Sequence, residues 1–161
     1  MDKKQNKSKW NALECALLVM LAVCMLMGAA ALGRQDRLQQ KMIRLHVVAN
    51  SDSQRDQALK LQVRDKVLTF TESTMRAAGD RQEANRALRA ALPTIQAMAE
   101  ETLRENGCAD RVETRLEPVE FPLKTYSGFR LPAGEYLALR VLIGEAEGQN
   151  WWCVVYPPLC M

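Results

Sequence analysis

The feature that most constrains this chain is an unbroken apolar run, CALLVMLAVCMLMGAAAL, from Cys15 to Leu32. Its 18 residues include no charged or strongly polar side chain. As a helix rising ~1.5 Å per residue it spans roughly 27 Å, close to the ~30 Å hydrocarbon core of a bilayer. It has no polar stripe, which argues against a helix lying flat in the membrane surface. Lys3, Lys4, Lys7 and Lys9 precede the run. A lysine cluster directly before an apolar stretch argues against a buried core helix and favours a cytoplasmic N-terminus. The rest of the chain is therefore expected outside. Arg34 and Arg37 lie just past the run and weaken that asymmetry without reversing it.

The run ends in small residues, and Ala29 and Ala31 fit the A-x-A pattern of a secretory cleavage site. Cleavage after Ala31 and retention as an anchor both stay open. The apolar stretch exceeds the ~7–15 residues of an ordinary signal core, which favours retention. The division expected is a signal peptide or signal anchor over 1–33, a polar spacer over 34–42 and one extracytoplasmic domain over 43–161. Residues 1–33 carry four Lys against two acids, leaving 18 Lys/Arg against 17 Asp/Glu, a net of +1, for the remainder. The basicity thus belongs largely to the export segment, and no basic field remains to suggest nucleic acid.

Cys15 and Cys24 count as small hydrophobes inside the run. Cys108, Cys153 and Cys160 fall in the exported part, where disulfides are permitted. A Cys153–Cys160 bridge would close a small ring worth roughly 2.5 kcal/mol before strain. Three free thiols are the other reading.

Periodicity predicts the rest. Ile43, Leu45 and Val47 alternate with Arg44 and His46, a strand ended by Asn50-Ser51-Asp52-Ser53. Ser53 with Asp56 resembles a helix-capping box. A helix is predicted over 54–77, with Leu59, Val63, Val67 and Phe70 on one face and Leu61 and Leu68 widening it. A second helical stretch covers 81–106, with Pro93 expected to kink or restart it. The period then shortens. Strands are predicted over 111–119, 135–144 and 151–156, with a loop from Phe121 to Gly134. Pro157-Pro158 cannot continue a ladder. The order β-α-α-β-β-β gives an α+β fold, two helices packed on a mostly antiparallel sheet.

The search for chemistry returns little. His46 is the one histidine, and no spacing of His and Cys suits a metal. No phosphate-binding or dinucleotide glycine loop is present, and no motif implies a cofactor. His46 with Ser51 or Asp52 could be drawn as a hydrolase constellation. The same residues are explained more simply by a strand end and a helix cap, worth about 1 kcal/mol. Trp151 and Trp152 are adjacent on a strand and must point to opposite faces. An exposed tryptophan beside a rigid Pro-Pro turn suits a partner anchor, whereas two core tryptophans are the plainer reading.

Two segments stand out as more than scaffold: IRLHVVANSDSQRDQALKLQVRD (43–65) and LPAGEYLALRVLIGEAEGQNWWCVVYPPLC (131–160). With the N-terminal membrane segment, they resemble the stage II sporulation protein R family of endospore-forming bacteria. The resemblance implies a protein made in the forespore and exported into the space between two cell membranes. There it would trigger a membrane-embedded aspartic protease of the mother-cell membrane, which cleaves the precursor of sigma-E. It implies a signal rather than an enzyme. In that reading Arg44, His46, Asn50, Asp52, Trp151, Trp152, Pro157 and Pro158 are expected to face the partner or shape its site. A membrane-anchored module that binds cell wall or another ligand is the alternative.

Overall fold

The computed structural model describes residues 2–126 and 128–159. They form two compact units, Met1–Leu38 and Gln39–Met161. The first is taken up by one helix, α1 (Asp2–Gln39). Within it Ala12–Ala30 is long and apolar enough to cross a membrane, and none of that window is buried. The helix persists through residues 34–39, so most of the expected polar spacer is helical.

The second unit opens with β1 (Ile43–Val48), then α2 (Gln54–Ala77), α3 (Arg81–Glu105) and β2 (Val112–Phe121). Two short strands come next, β3 (Lys124–Tyr126) and β4 (Phe129–Leu131), then β5 (Gly134–Ile143) and β6 (Asn150–Tyr156). The main sheet runs β2-β5-β1-β6. Its β2/β5 and β1/β6 ladders are antiparallel, as expected, and the central β1/β5 ladder is parallel. The fold is α+β, with two helices on a mixed four-stranded sheet. The segment expected as a loop contains a small hairpin, β3 with β4, closed where Tyr126 and Phe129 stack at 4.9 Å.

Both helices cover one face of the sheet. Ile43, Leu45, Val47, Leu139, Val141 and Ile143 meet Leu59, Val63, Val67, Leu88, Ile95 and Leu103 there. The buried stripe of α2 continues through Thr71 and Met75, while Phe70, expected on that face, is 37% exposed. Steps of four residues carry the stripe past Phe70. Thr71 can be buried because its hydroxyl donates to the Val67 carbonyl at 2.8 Å.

Helix α3 passes unbroken through Pro93, where an interruption was expected. A proline costs a helix one amide bond and crowds the turn before it. Buried Leu88 and Ile95 pin the helix on either side. Thr114 of β2 donates to the carbonyl of Leu92, at the same turn, at 3.1 Å.

Candidate functional site

The residues singled out in the sequence fall into three places. The first is the corner between β1 and α2. The chain leaves β5, crosses over the end of β1 and returns as β6 on its other side. The corner holds that crossing down. The Asn50 side-chain oxygen accepts from the Glu145 amide at 2.9 Å, and Asp52 accepts from the Gln149 amide at 2.7 Å. The Glu147 and Gly148 amides donate to the Asn50 and Ala49 carbonyls. Lys60, only 5% exposed, donates to the Gln149 carbonyl at 2.9 Å and to the Gln57 side chain at 2.6 Å. A Cβ at Gly148 would run into the Ser51 carbonyl, so the two segments touch backbone to backbone. Burial lowers the Lys60 pKa, against the pull of Asp52.

Ser53 caps α2, its hydroxyl accepting from the Asp56 amide at 3.1 Å. The capping box is not closed by Asp56 reaching back to the cap amide. Asp56 instead accepts from Ser51 at 2.6 Å and from Asn50 at 3.0 Å. These two bonds, that from Ser51 first, hold its pKa below the usual carboxylate value.

The second place is the face of the sheet opposite α2 and α3. Ladder registers align Arg115, Arg140, His46 and Trp152 across all four strands. One row further along lies Arg44, which is 0% exposed. Its guanidinium sits 3.8 Å from the ring centre of Phe121 and 4.9 Å from that of Tyr136. Nη2 donates to the Tyr126 hydroxyl at 2.6 Å. Among the described residues Nε and Nη1 have no hydrogen-bond partner. Cation–π contacts offset part of the desolvation, since a ring face attracts positive charge. Burial nevertheless pulls the Arg44 pKa down, against the two tyrosines.

His46 is 8% exposed and packs edge-on to Phe121 and tilted to Trp152, both at 5.9 Å. Its Nε2 lies 2.7 Å from the Asn150 side-chain oxygen, to which it donates in the tautomer that carries its proton on Nε2. Burial is the main reason its pKa is lowered. The Asn150 bond opposes the shift, and the Arg140 and Arg44 charges add to it. The hydrolase arrangement does not form: His46 Nδ1 has no partner among the described residues, Ser51 donates to Asp56 and Asp52 is taken by the Gln149 amide.

Trp151 points to the opposite face, packing against the helix-side core with Arg64 4.8 Å from its ring. The third place is the far end of β6. Tyr156 pairs with Ile43 there, and the Tyr156–Pro157 bond is cis. Pro158 lines a cleft with Thr71, Glu72 and Val154. Arg44, His46 and Trp152 thus share one face, Asn50 and Asp52 share the corner, Trp151 lies on the helix-side face, and Pro157 and Pro158 lie at the far end of β6. Cys153 is buried on β6; its expected partner, Cys160, lies outside the described residues.

Sequence pattern alone does not single out Phe121, Tyr126, Tyr136, Arg140, Asn150 or Lys60. A clue exists for Phe121 and Tyr136, since each falls at the same alternation phase as charged neighbours on its own strand.

Comparison with known proteins gives this architecture a family. The sequence model described as Stage II sporulation protein R (spore_II_R) matches residues 39–161. The chain belongs to the stage II sporulation protein R family. It is 41% identical over 118 residues to Stage II sporulation protein R of Bacillus subtilis (strain 168). That alignment covers 73% of this chain and 53% of the relative, so the chain spans about half the length of the curated relative it matches. No solved structure matches. The family match begins at Gln39, the first residue of the second compact unit. The chain is therefore a homologue of a sporulation protein, with an N-terminal apolar helix consistent with a signal sequence or a membrane anchor.

Proposed function

We propose that this chain is an exported sporulation signal. It is made in the forespore and carried by α1 into the space between the forespore and mother-cell membranes. There it activates a membrane-embedded aspartic protease of the mother-cell membrane, which processes the sigma-E precursor. The observation that carries the reading is the 41% identity to a stage II sporulation protein R across 73% of this chain. The apolar helix supports it, since a basic-flanked run at the N-terminus directs the chain behind it across a membrane. In this reading the chain supplies a surface and the protease supplies the reacting groups. A Cys153–Cys160 bridge, suited to an oxidising space, would secure the end of β6.

The test is a strain deleted for this chain. Uncleaved sigma precursor should accumulate there, and the chain from residue 34 onward, supplied from outside, should restore cleavage. Normal processing in the deleted strain would overturn the proposal.

A further inference from the structure

We propose that the face of the sheet opposite α2 and α3 is a docking surface for an acidic segment of a protein partner, received by Arg140, Arg115 and Lys124 beside Trp152, with Arg44 beneath. The inference rests on the signalling reading and adds to it the place of contact and the chemistry of the partner.

Charge is the first argument. Four cationic side chains gather on or against this face: Arg44, Arg115, Arg140 and Lys124, the last with Nζ 4.3 Å from the Trp152 ring. Glu113 and Glu117 are the carboxylates on the neighbouring strand. Each is engaged by one arginine, Glu113 by Arg115 at 2.6 Å and Glu117 by Arg140 at 2.7 Å. Arg44 and Lys124 have no carboxylate within ion-pair distance among the described residues, which leaves a positive excess.

The unmatched hydrogen-bond donors are the second argument. Arg44 Nε and Nη1 and Arg140 Nε have no partner among the described residues. Arg44 is fully buried, so bulk solvent does not reach its charge. Aromatic faces attract the cation but offer no lone pairs to its N–H groups. A buried cation without a counter-charge is costly, and an arriving carboxylate is the group that lowers that cost. Arg44 need not touch the carboxylate to do this, because charge acts through the weakly screening interior.

Shape decides the kind of ligand. The β3–β4 hairpin lies over part of the face, Tyr126 against Arg44 and Lys124 against Trp152, and a half-buried tryptophan remains among charged residues. Interfaces between proteins combine an aromatic anchor with a charged rim in this way, whereas small anions are held in concave sites. The occupant is therefore an acidic stretch of polypeptide.

The experiment uses the full chain in a sporulating strain that lacks its own copy and carries a tagged protease. A photo-crosslinking amino acid is placed at position 124, on this face, or at position 89, on the exposed side of α3. In parallel, the double variant Lys124→Glu with Arg115→Glu is compared with the unaltered chain at matched levels and matched resistance to trypsin. The expected result is a protease adduct from position 124 and none from position 89, with precursor cleavage slowed about tenfold by the charge reversal. Adducts from position 89 alone, adducts from neither position, or unchanged cleavage by the double variant would overturn the docking surface. Should the unaltered chain itself fail to restore cleavage, the signalling reading falls, and this proposal with it. Restored cleavage by both proteins removes the docking surface alone.

Discussion

The two faces of the sheet are built on opposite principles. The helix-side face is apolar, closed by α2 and α3, and its packing is spread over many buried side chains. The other face, opposite α2 and α3, has a much smaller cluster of Phe121, Tyr136 and Ala138, against which Val119 and Trp152 pack. A single cation, Arg44, is buried within reach of those rings. Strand β1 serves both, with all six of its residues buried. The difference teaches that one strand can bury Ile43, Leu45 and Val47 against the helices while Arg44 and His46 on its reverse meet aromatic rings and polar groups. Substitutions should separate the two.

The largest loss of stability is expected on the helix side. Leu139→Ala removes a fully buried side chain and should cost about 2–5 kcal/mol, read from denaturant unfolding of the domain. The largest loss of signal is expected on the other side. Arg44→Met keeps most of the volume and removes the unpaired charge, so stability should change by less than about 1.5 kcal/mol. Precursor cleavage should fall sharply all the same. A stability loss as large as that of Leu139→Ala would show that both faces serve the fold alone.

Asp52→Ala comes next. It frees one main-chain amide of the β5–β6 crossing and should cost about 1–2 kcal/mol, seen as faster hydrogen exchange at the Gln149 amide. If cleavage then falls further than that loss of fold explains, the corner has a role in contact as well as in shape.

The smallest effect is that of pH. The groups facing His46 are Arg44 on its own strand, Arg140 on β5, Phe121 on β2 and Asn150 with Trp152 on β6. Its folded pKa is lowered below the ordinary 6.5, so the unfolded chain takes up the proton first as pH falls. The neutral imidazole's contribution is complete above pH 6.5. It is lost as pH drops from there towards the folded pKa. The melting temperature should decline over that interval in the natural chain and decline less in His46→Gln. Equal slopes would mean that His46 titrates as it does in the unfolded chain.

Much of the fold is legible in the sequence because periodicity is local. The 3.6-residue stripe places α2 within its observed bounds, and alternation places β1, β5 and β6. The parallel β1/β5 ladder is not legible, since pairing direction depends on how the whole chain returns. Alternation does not reveal that Arg44 is buried. A charged residue between apolar ones on a strand reads as facing solvent or a partner, and the side chain is instead roofed by Phe121, Tyr126 and Tyr136. Tyr126 is 82 positions away, beyond any window in which a pattern could be read. Asn50 and Asp52 stand out as a polar cluster, and helix capping is the nearest local explanation. Their bonds to Glu145 and Gln149, 95 and 97 positions on, belong to the tertiary crossing.

That crossing also sets an order of events during synthesis. Strand β1 leaves the ribosome early, yet both its ladder neighbours come near the end of the chain; His46 and its partner Asn150 are 104 positions apart. Contacts so distant along the chain form slowly. Until β5 and β6 arrive, β1 is an apolar ribbon with two open edges and a cation that has no aromatic roof. The domain cannot close before its last strand has been made. A nascent chain halted before Asn150 should remain sensitive to protease, and a completed one resistant. The molecule becomes a finished object only when its C-terminal strand arrives.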